Sequence, residues 1–228
     1  EFLSEYIAPY AERLKWISNF SGSAGKVVIG QTAATIFVDG RYTIQANEEV
    51  DSNNFSIEHL NDFHKWLKDN LKKNFTIGLD PNFHSKKDVE TIKKIVVEIK
   101  AEIKFLDNNP IDILWVNQPA RPYSKAFQHD LQYSGKSIEN KISQIQSILQ
   151  SNQCDYYLLS SLDSIAWLLN LRGNDILYTP LNLAYVLITP NKKIELFINE
   201  EKIKDIKNNL YKFSNFYSLK SIKNFIKN

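Results

Sequence analysis

Histidine and cysteine supply most catalytic bases and metal ligands in proteins, and this sequence contains few of either. Its histidines are His59, His64, His84 and His129, and its single cysteine is Cys154. His59 and His64 are five residues apart, which places them on different faces of a helix, and no HExxH motif is present. A single thiol can form neither an internal disulfide nor a cysteine zinc site. We therefore expect surface or capping histidines, a buried structural thiol and no metal site in this chain.

A segment rich in glycine and serine, Trp16–Gly25 (WISNFSGSAG), has two serines beside its glycines, Ser21 and Ser23, that could act as nucleophiles. The segment is neither a phosphate-binding loop nor a dinucleotide fingerprint, because no strand precedes it and no helix follows it. The strand–turn–helix context of a G-x-S-x-G nucleophile is also missing. Its glycines and serines are therefore predicted to form tight turns.

A second group of reactive residues, Asp39-Gly40-Arg41-Tyr42, ends a predicted strand with an acid, a guanidinium and a phenol. The bidentate fork of an arginine suits the recognition of a carboxylate or a carbonyl. A surface ion pair of Arg41 with Asp39 or a neighbouring acid is the simpler interpretation from the residue types alone. The residues by themselves leave both roles open.

A third segment with an unusual density of specific residues is Leu162–Asp175 (LDSIAWLLNLRGND). Its Trp167 and its leucines are predicted to be core. The residues Arg172–Asp175 are predicted to form a polar turn that leaves this core.

The composition excludes several classes of protein. Lysine and arginine number 28 against 26 aspartates and glutamates, and the basic residues are interspersed with acids along their helices, so we expect no nucleic-acid partner. The apolar stretches are far shorter than the roughly 20 residues that a bilayer requires. The N-terminus has no signal-peptide pattern. The sequence predicts a cytoplasmic protein with no membrane association, and its lack of methionine suggests that the natural N-terminus is missing.

The elements that must position these residues begin with a hairpin, predicted from the β-branched runs Lys26–Gly30 and Ala34–Val38. The next predicted elements are a helix at Tyr42–Val50, a strand at Phe55–Glu58, a helix at Asp62–Leu71, a buried strand at Phe75–Leu79, a helix at Lys86–Ile99 and a strand at Ala101–Leu106. Strands that alternate with helices indicate an α/β domain. Its sheet should be mixed, because the hairpin must be antiparallel.

The periodicity breaks at Asp107–Ser137, which contains three prolines and is predicted to be a connector. A second α/β unit then begins with Ser137 as a helix N-cap. Its predicted elements are a helix with an apolar stripe from Ile138 to Leu149, a strand at Asp155–Leu159, a helix at Ser161–Leu169, strands at Leu183–Thr189 and Lys193–Ile198, a helix at Glu200–Leu210, a strand at Phe216–Tyr217 and a helix at Leu219–Ile226. The predicted domains are residues 1–122, which include part of the connector, and residues 123–228. The order of elements in the second unit resembles that of the first, but no residue-level repeat is strong enough to assert a duplication.

Several of these blocks together resemble the N-terminal domains of three-domain Xaa-Pro aminopeptidases in the creatinase/prolidase superfamily. The matching blocks are Ser4–Pro9, Phe20–Gly25, Asp39–Tyr42 with Gln45-Ala46, Trp115, Arg121-Pro122, Tyr133–Gly135 and Asp163–Asp175. They follow the family's order along almost the whole chain. The resemblance implies two small creatinase-N-terminal-like domains, each a mixed sheet flanked by helices, of which the second is incomplete.

In enzymes of this kind a C-terminal pita-bread domain holds two metal ions, usually manganese. A metal-activated water there attacks the bond that joins the first residue of a peptide to a penultimate proline. This chain has no counterpart of that ligand set. The resemblance therefore implies a chain that is inactive alone, with no cofactor of its own and two metal ions expected in the missing catalytic domain.

The resemblance assigns a function to one residue of this chain. The arginine of the family's D-G-R-Y motif projects toward the active site and helps to bind the substrate, and it falls on Arg41. Tyr42 and Phe20 are expected to line the same wall. Such enzymes are commonly dimers with contacts in their N-terminal regions, so a homodimer and an exposed apolar patch are expected.

Three hypotheses stay open at this stage. The chain is a non-catalytic recognition and assembly fragment of an aminopeptidase, or it is one part of a complete enzyme. The third possibility is a free-standing scaffold or adaptor without a peptidase role. The hypotheses differ over Arg41, since only the scaffold hypothesis allows its removal to leave peptide binding unchanged once a catalytic partner is present.

Overall fold

A computed structural model of the protein describes residues 4–227. The chain divides into two compact units, the first formed by residues 10–119 and the second by residues 120–227 together with residues 4–9. Each unit combines β-sheet with surrounding helices. This confirms the predicted α/β class with mixed sheets.

The first unit alternates strands and helices, as the sequence predicts. Its elements are α1 (Arg13–Ser18), β1 (Gly25–Ile29), β2 (Ala34–Val38), α2 (Thr43–Glu49), β3 (Phe55–His59), α3 (Phe63–Asn70), β4 (Thr76–Leu79), α4 (Lys86–Glu98), β5 (Glu102–Phe105) and α5 (Pro110–Leu114). Strands β1 and β2 form the predicted antiparallel hairpin, and β3 pairs parallel with β2. Strands β4 and β5 form a separate parallel pair. Only Leu79 of β4 is buried, so β4 is not the buried strand that was predicted.

One core cluster of the first unit lies between the sheet and two amphipathic helices. The apolar faces of α3 and α4 pack Leu67, Ile92 and Ile95 against Phe37 of β2. Helix α4 begins at a capped end, because the Ser85 hydroxyl accepts a hydrogen bond from the backbone N–H of Asp88. Burial of this one face supplies the main stabilisation of the helix pair.

The second unit contains the longest helix of the described chain and a four-stranded sheet. Its elements are β6 (Phe127–Gln128), α6 (Leu131–Ser134), α7 (Ile138–Ser151), β7 (Tyr157–Leu159), α8 (Leu162–Leu168), β8 (Leu171–Arg172), β9 (Tyr185–Ile188), β10 (Ile194–Phe197), α9 (Lys207–Leu210), β11 (Ser214–Tyr217) and α10 (Ile222–Lys227). The sheet has the order β11-β10-β9-β7, with β10 and β11 parallel and the other pairs antiparallel. Strands β6 and β8 form a separate antiparallel pair.

The two units share an order of elements, which confirms the similar order predicted from the sequence. In each, a hairpin is followed by a 3-10 turn, an α-helix, a strand parallel to the second hairpin strand, another 3-10 turn and a further α-helix. The 3-10 turns after the hairpins are Gly40–Tyr42 and Glu200–Ile203. Their preceding residues, Asp39 and Asn199, both accept a hydrogen bond from the backbone N–H two residues later. One supersecondary unit therefore occurs twice.

Some predictions about single elements are wrong. The helix predicted at Glu200–Leu210 is a 3-10 turn followed by the short α9, because the turn buries Lys202 and Ile203 before the chain can continue as a helix. The predicted connector contains α5, β6 and α6. Cys154 is exposed in the loop that follows α7, so it is not a buried structural thiol.

Candidate functional site

The turn that follows β2 is built around Asp39. Its Oδ1 accepts hydrogen bonds from the backbone N–H of Arg41 at 3.0 Å and from the Arg41 Nε at 2.8 Å. The side-chain bond is the main cause, and the backbone bond the next, of a pKa of Asp39 below its ordinary value. The carboxylate therefore stays charged at neutral pH and orients the guanidinium.

The Arg41 side chain is presented to solvent rather than folded into the core. It is 68% exposed although it pairs with Asp39, and its guanidinium carbon lies 5.5 Å from the centre of the Tyr42 ring. The surface pair that the residue types suggested is thus present. An exposed pair of this kind contributes little to stability.

The wall beside Arg41 is formed by Tyr42 and the glycine–serine loop. The Tyr42 hydroxyl lies 2.8 Å from the Ser23 Oγ, and the Tyr42 ring meets Phe20 edge-on. Phe20 itself is buried in the core, so the expectation that it lines the wall is wrong. Its ring instead supports the loop from beneath, because a Cβ on Gly22 would lie only 2.3 Å from it.

Glu49 holds the other side of the same loop, a contact that the sequence analysis did not predict. Its carboxylate accepts hydrogen bonds from the backbone N–H and the hydroxyl of Ser21, each at 2.7 Å, and from Gln45 at 3.0 Å. Burial raises the pKa of Glu49, but the bonds from Ser21 and Gln45 outweigh it and lower the pKa below its ordinary value. The spacing of Gln45 and Glu49, four residues apart, is the signal that could have placed them on one side of α2.

Three of the histidines make contacts of local structure. The His59 Nδ1 accepts a hydrogen bond from the backbone N–H of Asn61, the predicted capping role. His84 bonds the Asp80 carbonyl, and His129 stacks on Tyr133. Within residues 4–227, no three histidine, cysteine or acidic side chains are grouped so that they could hold a metal ion. The described residues therefore do not offer the ligands of a dimetal centre, which the resemblance places in the C-terminal catalytic domain of the family.

The Leu162–Asp175 segment has a structural role in the second unit. Asp175 is buried rather than part of an exposed polar turn, and it bonds the Lys202 Nζ at 2.5 Å, the Ser124 hydroxyl at 2.8 Å and the Leu183 N–H at 2.7 Å. The prediction for the leucines is confirmed, but Trp167 is 49% exposed and is not core.

The fold is an α/β module with two related halves, and the first half contains the capped turn with Arg41. A sequence model described as the creatinase/prolidase N-terminal domain matches residues 2–120, and a second model with the same description matches residues 117–228. The chain belongs to this family. The resemblance stated from the sequence is thereby confirmed.

The relatives of the chain are longer proteins. It is 36% identical over 213 residues to probable Xaa-Pro aminopeptidases P from Paracoccidioides lutzii and from Ajellomyces capsulatus, matches that cover 91% of this chain and 34% of each relative. Among solved structures, an X-prolyl aminopeptidase from Caenorhabditis elegans, described as a cytosolic enzyme with a di-nuclear active site, has a TM-score of 0.91 and 27% identity over 99% of this chain and 38% of that one. This chain therefore spans about a third of the curated relatives' length and corresponds to their N-terminal region.

The helices of the described part of the chain are short or polar. None of them combines the length and the apolar character needed to cross a bilayer.

Proposed function

We propose that this chain is the substrate-facing N-terminal region of an Xaa-Pro aminopeptidase, a hydrolase that removes the residue before a penultimate proline. The chemistry belongs to a catalytic domain that binds two metal ions, which we expect to be manganese. The proposal includes a cytoplasmic location and a homodimer. The N-terminal region supplies Arg41, whose guanidinium binds a carbonyl or carboxylate of the peptide.

The observation that carries the proposal is the exposed Arg41 on its capped turn, in a chain that matches the N-terminal third of such enzymes. The Asp39 carboxylate limits the rotamers of the guanidinium without burying it. Less conformational entropy is then lost when a ligand binds. The Tyr42–Ser23 contact stabilises the adjoining wall.

A chimaera tests the proposal. This chain replaces the matching N-terminal segment of the Caenorhabditis elegans enzyme, and cleavage of an Xaa-Pro peptide is measured with manganese. We expect the chimaera to be active and Arg41→Ala to reduce kcat/KM by roughly 10- to 100-fold, the loss of one charged hydrogen bond. Arg41→Lys should recover only part of the loss, because lysine cannot bind in a bidentate manner.

The matched control is Lys68→Ala, which removes another exposed cation paired with a carboxylate, here Glu98 at 2.8 Å. We expect its kcat/KM to equal that of the parent chimaera. Equal activity of the Arg41→Ala and Lys68→Ala variants would show that the role given to Arg41 is wrong. A folded chimaera with no activity would count against the aminopeptidase proposal itself and favour the scaffold hypothesis.

A further inference from the structure

His59 ends β3 directly beside the turn that presents Arg41. Strands β2 and β3 are parallel with Val38 opposite His59, so the residues after Val38 and the imidazole meet at one edge of the sheet. A Cβ on Gly40 would lie 3.1 Å from the His59 Nε2 and 3.7 Å from its Cδ2. The imidazole therefore packs against Gly40, and the glycine of the D-G-R-Y motif leaves room for it.

A hydrogen bond to Asn61 fixes where the neutral imidazole of His59 holds its proton. The Nδ1 accepts this bond from the Asn61 backbone N–H at 3.1 Å. An accepting ring nitrogen has no proton, so the neutral ring has its proton on Nε2, the nitrogen that faces Gly40. A second proton can be added only at Nδ1, where it removes the acceptor of the Asn61 N–H. Protonation therefore charges the ring and breaks the bond that holds it.

The charge of His59 acts on the carboxylate that orients Arg41. The side-chain hydrogen bond from Arg41 is the main cause of the lowered pKa of Asp39, and the positive charge of a protonated His59 lowers this pKa further. Strand β2 contains no charged residue. The other charged residues of β3 and of the two adjoining 3-10 turns are Glu58 and Asp62. Glu58 points to the opposite face of the sheet from His59, because side chains alternate along a strand.

The turn of the second unit that corresponds to the Arg41 turn has neither of these ionisable groups. Asn199 occupies the place of Asp39 as the residue before the 3-10 turn. Ser218 occupies the place of His59, because both residues precede the 3-10 turn that follows the parallel strand. The carboxylate and the imidazole therefore occur together, at the turn that presents a cation to solvent.

We propose that His59 is a positioning residue that makes the orientation of Arg41 depend on pH. While the ring is neutral, the Asp39 carboxylate holds the Arg41 guanidinium in one orientation. A protonated ring adds a second cation beside the same carboxylate and weakens its hold on the guanidinium. Histidine changes its charge between about pH 5 and 8, so the change in Arg41 falls within that range. Only the effect on peptide cleavage rests on the proposed function.

NMR of the 228-residue chain tests the link between the two side chains without any cleavage. With the arginine guanidinium carbons labelled, the Arg41 Cζ resonance and the His59 imidazole resonances are followed from about pH 8 to about pH 5.5. We expect both to shift with the same midpoint. The Arg41 shift should be absent in His59→Gln. In His59→Lys the Arg41 resonance should stay near the position that the parent reaches at the lower pH.

The matched control is His84→Gln, which removes another histidine that bonds a backbone group of the first unit. Its Arg41 resonance should follow that of the parent, and circular dichroism confirms that all the variants fold. An Arg41 resonance that does not move between the two pH values, or that moves equally in the parent and in His59→Gln, would overturn the proposal.

The chimaera with the Caenorhabditis elegans enzyme shows whether this link reaches peptide binding. Relative to His59→Gln, the parent should lose kcat/KM by up to about fivefold between about pH 7.5 and about pH 5.5, the upper limit for an exposed ion pair. An active chimaera whose pH profile is the same with and without His59 would contradict this role in binding. An inactive chimaera would instead contradict the proposed function, and the NMR result would still decide whether His59 orients Arg41.

Discussion

At the scale of single residues, two aspartates of this protein pair with cations in opposite surroundings. The side chains of Arg41 and Asp39 are 68% and 36% exposed, whereas those of Lys202 and Asp175 are 4% and 0% exposed. Water screens the first pair, so it can orient a guanidinium without adding much stability. The second pair is desolvated, so loss of either partner leaves an unpaired charge in the core.

Removal of the buried carboxylate should therefore destabilise the second unit. We expect Asp175→Ala to lower the free energy of unfolding by about 3–5 kcal/mol, because Lys202 and the Leu183 N–H lose their acceptor. Urea denaturation measures the change. Asp205→Ala is the control, since it breaks an exposed lysine pair with Lys125 in the same unit and should have little effect. Equal losses in the two variants would contradict the assigned role of burial.

The hydrogen bonds to Glu49 predict a pH-dependent stability. Its folded pKa lies below the ordinary value of 4.5, so its contribution is fully present above that pH and is lost as the pH falls toward the folded pKa. We expect Glu49→Gln to cost about 1 kcal/mol at pH 7, the net value of a hydrogen bond. The difference from the parent should shrink below pH 4.5 when denaturation is repeated across pH.

The adjacent Glu48 provides the control for this experiment, because it is exposed on the same helix. The Glu48→Gln variant should follow the pH dependence of the parent. A Glu49→Gln difference that stays constant from pH 7 to pH 3 would show that the carboxylate charge is not what holds the Ser21 loop.

At the scale of elements, the 3-10 turn that follows each hairpin has a different role in each unit. Buried Phe37 precedes the first turn by three residues and buried Phe197 precedes the second by three. The first turn continues with the exposed Arg41, whereas the second continues with Glu201 and with Lys202, which turns inward to Asp175. The first turn thus presents a cation at the surface, and the second places a cation in the core, where Lys202 pairs with Asp175.

Helix α7 offers a test of capping in the second unit. The Ser137 hydroxyl accepts a hydrogen bond from the Asn140 N–H at 3.2 Å, as the sequence predicted. Loss of this bond in Ser137→Ala should lower the free energy of unfolding by about 1 kcal/mol. Ser147→Ala is the control on the same helix, because its exposed hydroxyl bonds only a carbonyl of the preceding turn. Thermal unfolding distinguishes the two, and an equal loss of stability in both variants would contradict the role given to the Ser137 cap, because alanine favours the helix interior more than serine does.

At the scale of the whole molecule, the function is expected to require more than this chain. The described residues offer no group of three metal ligands, and the chain spans about a third of its curated relatives. We expect the purified 228-residue chain to leave Xaa-Pro peptides intact when manganese is added. Cleavage above the level of a metal-free blank would require a metal site that includes one or more of its scattered histidines.

The sequence by itself determined the elements whose causes are local. The hairpin at β1 and β2, the amphipathic α3 and α4 and the cap of α7 follow from neighbouring residues, and all are present. The family followed from the order of short motifs along the chain. The D-G-R-Y motif drew attention to Arg41, although its substrate role stays a proposal.

Only the tertiary structure decided which side chains are buried and which segments pair. The bond between Asp175 and Lys202 joins residues 27 positions apart, and β6 exists only because β8 lies beside it. The exposure of Cys154 and Trp167 reversed what their residue types suggest. Burial and strand pairing depend on contacts between distant segments, and periodicity within one segment contains no information about the partner it will meet.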